Sequence, residues 1–133
     1  MTTVPDNRPR EILIGGIKRP IYYITDGQAE TMGRKVAGIY ALVCLKTGSL
    51  YVGSTSYVTR RIRQHFSDLQ ARIHGNYKMQ NRFDQNPDKW AYVLMQPTAG
   101  LTRDEIYRIE YGYLKSPIYD LNIERSPWVK KPK

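Results

Sequence analysis

The feature that most constrains this fold is a hairpin that runs from Gly38 to Gly53. Its two arms, "GIYALVCL" and "SLYVG", are rich in β-branched and aromatic residues, which favour strands, and "KTG" between them supplies a turn. Because strands joined by so short a turn pair antiparallel, the hairpin predicts an antiparallel sheet. Tyr40 and Tyr51 are each separated by one residue from a strand-end glycine; core or cross-strand packing is the usual role of a strand tyrosine, and chemistry is the alternative.

A cation-rich helix is predicted directly after the hairpin, from about Val58 to His74. Gly75 is a plausible stop signal for this helix. Apolar residues at helical spacing draw one inward stripe, formed by Ile62, Phe66, Leu69 and Ile73.

The remaining elements are two helices and short strands. The segment "YKMQNRF" predicts a short helix, and "WAYVLMQ" (Trp90–Gln96) predicts a third good strand. The last helix begins near Thr102, where "TRDE" forms a capping box, and ends near Lys115. The leader segment Glu11–Thr25 predicts one or two strands around a Gly-Gly turn. The sequence therefore predicts a small α/β (α+β) domain with a mainly antiparallel sheet.

The composition of the 133-residue chain fits one globular domain, because 41% of its residues are hydrophobic. No apolar run approaches the roughly 18 residues of a membrane span, and residues 1–10 lack a signal-peptide core, so no membrane partner is expected. The one cysteine, Cys44, lies in an apolar run and cannot form an internal disulfide. These features predict a cytoplasmic, reducing environment.

The formal net charge of +9 predicts a surface that attracts polyanions, of which nucleic acid is the commonest. A basic protein with no such partner is the alternative that charge leaves open. Charge by itself identifies no activity.

A polar stripe lies beside the apolar stripe of the first long helix. Arg61 and His65 stand at its N-terminal end, where a guanidinium can bind phosphate, and Asp68 and Arg72 continue it. A solvated basic shoulder explains the same spacing.

Glu110 lies in the middle of the inward face of the last helix, among Ile106, Ile109, Tyr113 and Leu114. A buried carboxylate needs a cation. That cation is either an arginine in a structural ion pair or a divalent metal held for chemistry. Glu105 is already explained as the acid of the capping box.

Together these features resemble the GIY-YIG nuclease family. Gly38-Ile39-Tyr40, ten intervening residues and Tyr51-Val52-Gly53 match the two phrases of the family name, with valine for the middle isoleucine. The polar residues that match in order are Arg61, His65, His74 (as in the phage homing branch), Glu110 opening "EYGYLK", and Asn122. The resemblance covers about residues 36–124, between a leader at 1–35 and a basic tail at 125–133.

The resemblance implies a three-stranded antiparallel sheet flanked by helices, and a metal-dependent endonuclease that hydrolyses DNA. Tyr40 would take a proton from water, with Tyr51 and His65 positioning or relaying it. Arg61 would hold a phosphate oxygen, and Glu110 would bind one Mg²⁺ or Mn²⁺. The supporting residues are Asn122, which would orient the Glu110 region, His74 and, as a weaker candidate, Asn76.

DNA is the expected partner, with no small-molecule substrate and with a monomer or homodimer as the assembly. Predicted DNA contacts are Arg60, Arg63, Arg72, Lys78 and Arg82. The leader would add strand or loop structure and either brace the core or contribute cations to DNA binding, namely Arg8, Arg10, Lys18 and Arg19. A near-minimal enzyme of phage or mobile-element origin is expected. The alternatives are a catalytically silent nucleic-acid-binding module, an RNA-directed enzyme, and a structure-specific or single-strand nuclease.

Overall fold

A computed structural model describes residues 9–25, 28–29 and 35–123, so Arg8 and the predicted basic tail lie outside the described residues. Its strands are β1 Glu11–Ile14, β2 Ile17–Pro20, β3 Tyr22–Thr25, β4 Gln28–Ala29, β5 Gly38–Cys44, β6 Leu50–Thr55 and β7 Trp90–Pro97. Its helices are α1 Val58–Gln70, α2 Tyr77–Gln85 and α3 Arg103–Leu114. Along the described residues, every helix falls short of the length and apolar character that a bilayer crossing requires.

The central sheet has β5 at its middle, paired antiparallel with β6 on one side and with β7 on the other. The predicted hairpin is confirmed, and Gly48 takes the turn with a φ of 77°, a left-handed conformation that suits glycine. The three predicted core strands are β5, β6 and β7, and the leader adds β3 and β4 beside them, which gives a five-stranded sheet in the order β4-β3-β7-β5-β6. Tyr22 of β3 pairs with Tyr92 of β7, which covers an edge that would otherwise expose unpaired backbone groups.

Gly38, the first glycine of the hairpin, is required by the close approach of β5 and β7. A Cβ atom at this position would lie 2.5 Å from Leu94 Cδ1 and 2.8 Å from the Gln96 carbonyl oxygen. The register between these two strands shifts between Ile39 and Tyr40, directly beside the glycine. A side chain at position 38 would therefore push the two strands apart at an irregular point of the ladder.

Strand β5 is buried along its whole length, because apolar clusters cover both faces of the sheet. One face packs against α3 and the β1–β2 hairpin, and the other packs against α1 and α2. Ile14 of the leader is buried, and Arg19 Nη1 donates to the Met95 carbonyl oxygen over 2.6 Å. Arg10 lies over the Tyr23 ring, 5.6 Å from its centroid. These contacts make the leader a brace for the sheet, which is one of the two roles predicted for it.

Helix α1 ends at Gln70, four residues before its predicted end at His74. Arg72 adopts a φ of 61°, a left-handed conformation that reverses the chain, although the residue is not glycine. The Ile73 amide closes the reversal by donating to the Asp68 carbonyl oxygen over 2.9 Å, a Schellman arrangement. Ile73 is therefore 70% exposed, and its assignment to the inward stripe was wrong, whereas the other three members of the stripe are buried.

The end of the described chain covers the outer edge of β6. The Leu121 amide donates to the Leu50 carbonyl oxygen over 2.9 Å. Asn122 forms a two-bond bridge to Val52, accepting from its amide over 2.8 Å and donating to its carbonyl oxygen over 2.9 Å. Among residues 9–25, 28–29 and 35–123, the hydrogen bonds of this cover reach Val52, and none is seen from it to the last three residues of β6.

Candidate active site

The site begins with a tyrosine that packs directly on bare backbone. Tyr40 of β5 and Gly53 of β6 are cross-strand partners, and their side-chain positions share one face of the sheet. A Cβ atom at position 53 would lie 2.7 Å from Tyr40 Oη and 2.9 Å from its Cζ. The second glycine of the hairpin is therefore required because the Tyr40 ring occupies the space of the missing side chain.

Two histidines continue from Tyr40 in a chain of hydrogen bonds. Tyr40 Oη lies 2.7 Å from His65 Nε2, and His65 Nδ1 lies 2.8 Å from His74 Nε2. His65 is supplied by α1 and is fully buried, whereas His74 lies in the loop after that helix. Tyr51 closes the group, with its ring centroid 6.3 Å from that of Tyr40 and 5.5 Å from that of His65.

Burial keeps the groups of this chain uncharged. It raises the pKa of Tyr40 well above 10, and the nearby Tyr51 and Glu110 raise it further. Burial likewise lowers the pKa of His65 to about 2, helped by the positive charge of Arg61. The pKa of His74 is also lowered, mainly by burial, against an opposing effect of Asp68.

Arg61 is the cation that opposes the effect of burial on the pKa of Tyr40. Its charge and a side-chain hydrogen bond to the tyrosine both lower the pKa of Tyr40. The guanidinium belongs to a half-buried side chain on the first turns of α1 and lines a cleft of about 200 Å³. The other lining residues are Thr55, Ser56, Tyr57, Arg60 and Gln64.

Glu110 approaches the same tyrosine from α3, on the other side of β6. Its side chain is 8% exposed, and its Oε1 accepts a hydrogen bond of 2.8 Å from the Ser54 hydroxyl. Because the charge of Glu110 raises the pKa of Tyr40, the carboxylate acts on the same phenol as Arg61. The predicted group of Tyr40, Tyr51, Arg61, His65 and Glu110 is therefore brought together around β6.

The donor set at Glu110 fits one kind of metal site. Within residues 9–25, 28–29 and 35–123, no three His, Cys, Asp or Glu side chains cluster closely enough to hold a metal ion. Mg²⁺ is typically bound by one or two carboxylates, with water and substrate phosphate completing its octahedron. Glu110 fits a site of that kind and does not fit a closed structural metal site.

Asn122 acts on the strand that carries the site. Its two bonds to Val52 fix β6 between Tyr51 and Gly53. The same strand carries Ser54, which donates to Glu110. By holding β6, Asn122 can act on the Glu110 region, and the orienting role that the resemblance implies for it stays a prediction.

The predicted DNA-binding cations lie in different places. Arg60 lines the cleft beside Arg61, and Arg63 is exposed on α1. Lys78 and Arg82 line another cleft, of about 340 Å³, between α2 and the Asp120–Leu121 segment. Arg72 is exposed at the chain reversal after α1.

Sequence reasoning missed a larger cleft, of about 590 Å³, beside Ser54. Arg103 and Tyr107 line it from α3, and Thr55 and Ser56 line both this cleft and the Arg61 cleft. One signal was present, because residues 103, 107 and 110 follow the i, i+4, i+7 spacing of one helix face. Ser54 gave no signal, since an isolated serine in a strand is common.

His65 predicts a fold that loses stability in weak acid. The unfolded chain binds a proton at an ordinary histidine pKa near 6.5, whereas the folded chain holds the pKa of His65 at about 2. The contribution of His65 to the free energy of unfolding is fully present above pH 6.5, and it is lost progressively as the pH falls below that value. Urea denaturation should show the free energy of unfolding falling by about 2 kcal/mol between pH 7.5 and pH 5. An equal fall in a His65→Gln variant would assign the effect to other groups.

The comparisons with known proteins agree with this geometry. The GIY-YIG catalytic domain family matches residues 36–116. Two similar solved structures are a mutant of the catalytic domain of intron endonuclease I-TevI, and the catalytic domain of homing endonuclease I-TevI. The first is 24% identical with a TM-score of 0.62, and the match covers 68% of this chain and 96% of that one. The second is 24% identical with a TM-score of 0.56, and the match covers 59% of this chain and 85% of that one.

No curated protein sequence matches the chain. The two structural matches establish the fold. The family match spans more than half of the 133 residues and includes both glycine-tyrosine phrases and Glu110. The chain therefore belongs to the GIY-YIG family of DNA endonucleases.

Proposed function

We propose that this protein hydrolyses phosphodiester bonds of DNA with the help of one Mg²⁺ or Mn²⁺ ion at Glu110. The observation that carries the proposal is the meeting of opposite charges at Tyr40. Arg61 lowers the pKa of this phenol from one side, and Glu110 raises it from the other. A phosphate placed between Arg61 and a cation on Glu110 would lie beside the oxygen of a potential base.

Hydrolysis needs a base that removes a proton from the attacking water, and positive charge beside the phosphate. It also needs a group that stabilises the negative charge on the leaving oxygen. Arg61 would supply the second of these, because a guanidinium can bind two phosphate oxygens at once. Its contact strengthens as negative charge develops on the phosphate.

Tyr40 would supply the base. At rest its buried phenol is neutral, so it must lose its proton before it can accept one from water. The Arg61 guanidinium favours that ionisation. Because Arg61 both bonds to the Tyr40 hydroxyl and lines the cleft, we propose that the attacking water meets Tyr40 from the side of that cleft.

Glu110 would hold the metal ion, with Ser54 fixing the orientation of its carboxylate. When bound, a divalent ion supplies Lewis-acid stabilisation to the phosphate and to the leaving 3′ oxygen. In a protein that only binds DNA, this carboxylate would weaken binding, since it places negative charge beside phosphate. That cost disfavours the interpretation of the chain as a silent binding module.

The two clefts that share Thr55 and Ser56 give a path for the cleaved strand. Arg60 lines one cleft and Arg103 lines the other, so each is a candidate contact for a phosphate that flanks the cleaved one. The net charge of +9 supports binding to a polyanion along this surface.

The setting of the reaction is also part of the proposal. One site cuts one strand, so cleavage of both strands by this chain requires a homodimer or two successive nicks. The buried, unpaired Cys44 suits a reducing cytoplasm. The homing endonuclease among the similar structures supports an origin in a phage or mobile element.

Removing the charge of Glu110 should abolish cleavage. We expect Glu110→Gln to nick supercoiled plasmid at least about 100-fold more slowly than wild type in Mg²⁺, because the metal loses its carboxylate. EDTA should stop the wild-type reaction. Glu105→Gln is the matched control, since Glu105 is exposed on the same helix and its capping bond survives in glutamine. If wild type shifts DNA on a gel but leaves plasmid intact in Mg²⁺ and Mn²⁺, the protein is a binding module.

Removing the guanidinium of Arg61 should affect chemistry far more than binding. We expect Arg61→Ala to lower the single-turnover cleavage rate by at least about 100-fold, as for loss of a transition-state charge partner. The affinity for DNA, measured by fluorescence anisotropy, should fall by less than about tenfold, as for one phosphate contact among several. Arg108→Ala is the control, because it removes the same charge from an exposed arginine of α3 that lines neither cleft. Equal losses of rate and affinity would reduce Arg61 to an anchor for DNA.

A further inference from the structure

The hydrogen-bond chain behind Tyr40 ends on a group that can only donate. His74 Nδ1 lies 3.0 Å from the backbone nitrogen of Asn76, whose N–H has no acceptor character. His74 Nδ1 must therefore be the unprotonated nitrogen of its ring. A neutral imidazole carries one proton, so that proton lies on His74 Nε2.

The direction of the next two bonds follows from the first. With a proton on Nε2, His74 donates to His65 Nδ1 over 2.8 Å, and the nearly parallel rings, 16° apart, suit such a bond. His65 Nδ1 is then an acceptor, and the single proton of His65 lies on Nε2. His65 Nε2 consequently donates to Tyr40 Oη over 2.7 Å.

We propose that the backbone amide of Asn76 fixes the tautomers of both histidines and so directs the Tyr40 hydroxyl proton away from His65. Asn76 is then a positioning residue that acts through its main chain. His65 and His74 serve as donors behind the phenol, and neither takes its proton. Low histidine pKa values agree with this, because a second proton on either ring would place two N–H groups face to face.

The loop that carries His74 is built to hold this amide in place. Asn76 caps α2, accepting from the Met79 amide over 3.0 Å, and its side-chain nitrogen donates to the Leu121 carbonyl oxygen over 2.8 Å. Gln80 accepts from the His74 amide over 3.1 Å and donates to the Leu69 carbonyl oxygen over 3.0 Å. The turn is thus tied to α1, to α2 and to the segment beside β6.

The consequence for chemistry rests on the proposed function. An oxygen that accepts from both His65 and Arg61 is better suited to a phenolate than to a phenol, because both donors favour the charged form. The proton that leaves Tyr40 therefore passes to solvent water on the side of the Arg61 cleft, away from the histidines. His65 is therefore excluded as the base that activates Tyr40.

Two-bond ¹H–¹⁵N correlation NMR of histidine-labelled protein tests the inference without any cleavage assay. The chain has only two histidines, so one substitution assigns both rings. At pH 7 we expect both to be neutral Nε2–H tautomers. An Nδ1–H tautomer or a doubly protonated ring at either position would overturn the inference, whether or not the protein cleaves DNA.

Two pairs of variants separate the amide from the side chains. Asn76→Ala and Asn76→Pro both lose the cap, but only proline loses the N–H, so only the proline variant should show Nδ1–H in His74.

In the second pair, His74→Gln keeps a donor towards His65 and His74→Leu has none. We expect the glutamine variant to keep His65 as Nε2–H and to cleave DNA at least about tenfold faster than the leucine variant, as for a lost hydrogen bond to a buried polar group. Loss of the fixed tautomer in Asn76→Ala, or equal spectra and rates for His74→Gln and His74→Leu, would contradict the proposal, even if the proline variant does not fold.

Discussion

The packing of the Tyr40 ring on the bare backbone of Gly53 is the constraint on which the rest of the site depends. It requires antiparallel pairing of β5 and β6 in one register, since a slip of one residue would place a side chain under the ring. It also buries the phenol, which raises its pKa and obliges it to find polar partners. His65 and Arg61 from α1 are those partners, so one contact between a ring and a glycine determines which helix face must cover this side of the sheet.

Strand β6 divides the site into two halves of different character. On one face lie Tyr40 and its histidine donors, which are neutral, together with the cation Arg61. On the other face lies α3, whose Glu110 is oriented by Ser54. Asn122 holds the edge of β6 at Val52. In the proposed reaction, a phosphate at the Gly53–Thr55 end of β6 would meet Tyr40 and Arg61 from one face and an ion held by Glu110 from the other.

The elements that could be predicted from the sequence are those that local residue patterns determine. The hairpin, the start of α1, β7 and the capping box of α3 each follow from short-range composition, and the structure confirms them. The order of the site residues came from the family resemblance, and their convergence agrees with it. The pairing of Tyr22 with Tyr92 was missed because the choice of strand partner is a long-range property. The end of α1 was missed because a left-handed arginine replaces the glycine that normally marks such a reversal. The hydrogen bond from Asn76 to His74 is donated by the main chain, so no residue type in the sequence indicates it.

The proposed reaction requires that Arg61 and Glu110 act on one phosphate beside Tyr40. A crystal structure of the wild-type protein with duplex DNA and Ca²⁺, which occupies oxygen-ligand sites, tests this claim most directly. We expect the cation on Glu110 and on an oxygen of the same phosphate that Arg61 contacts. Tyr40 Oη, or one intervening water, should lie within about 3 Å of the water aligned for attack on that phosphate. A cation bound elsewhere, or DNA bound with no phosphate reaching both Arg61 and Glu110, would contradict the account.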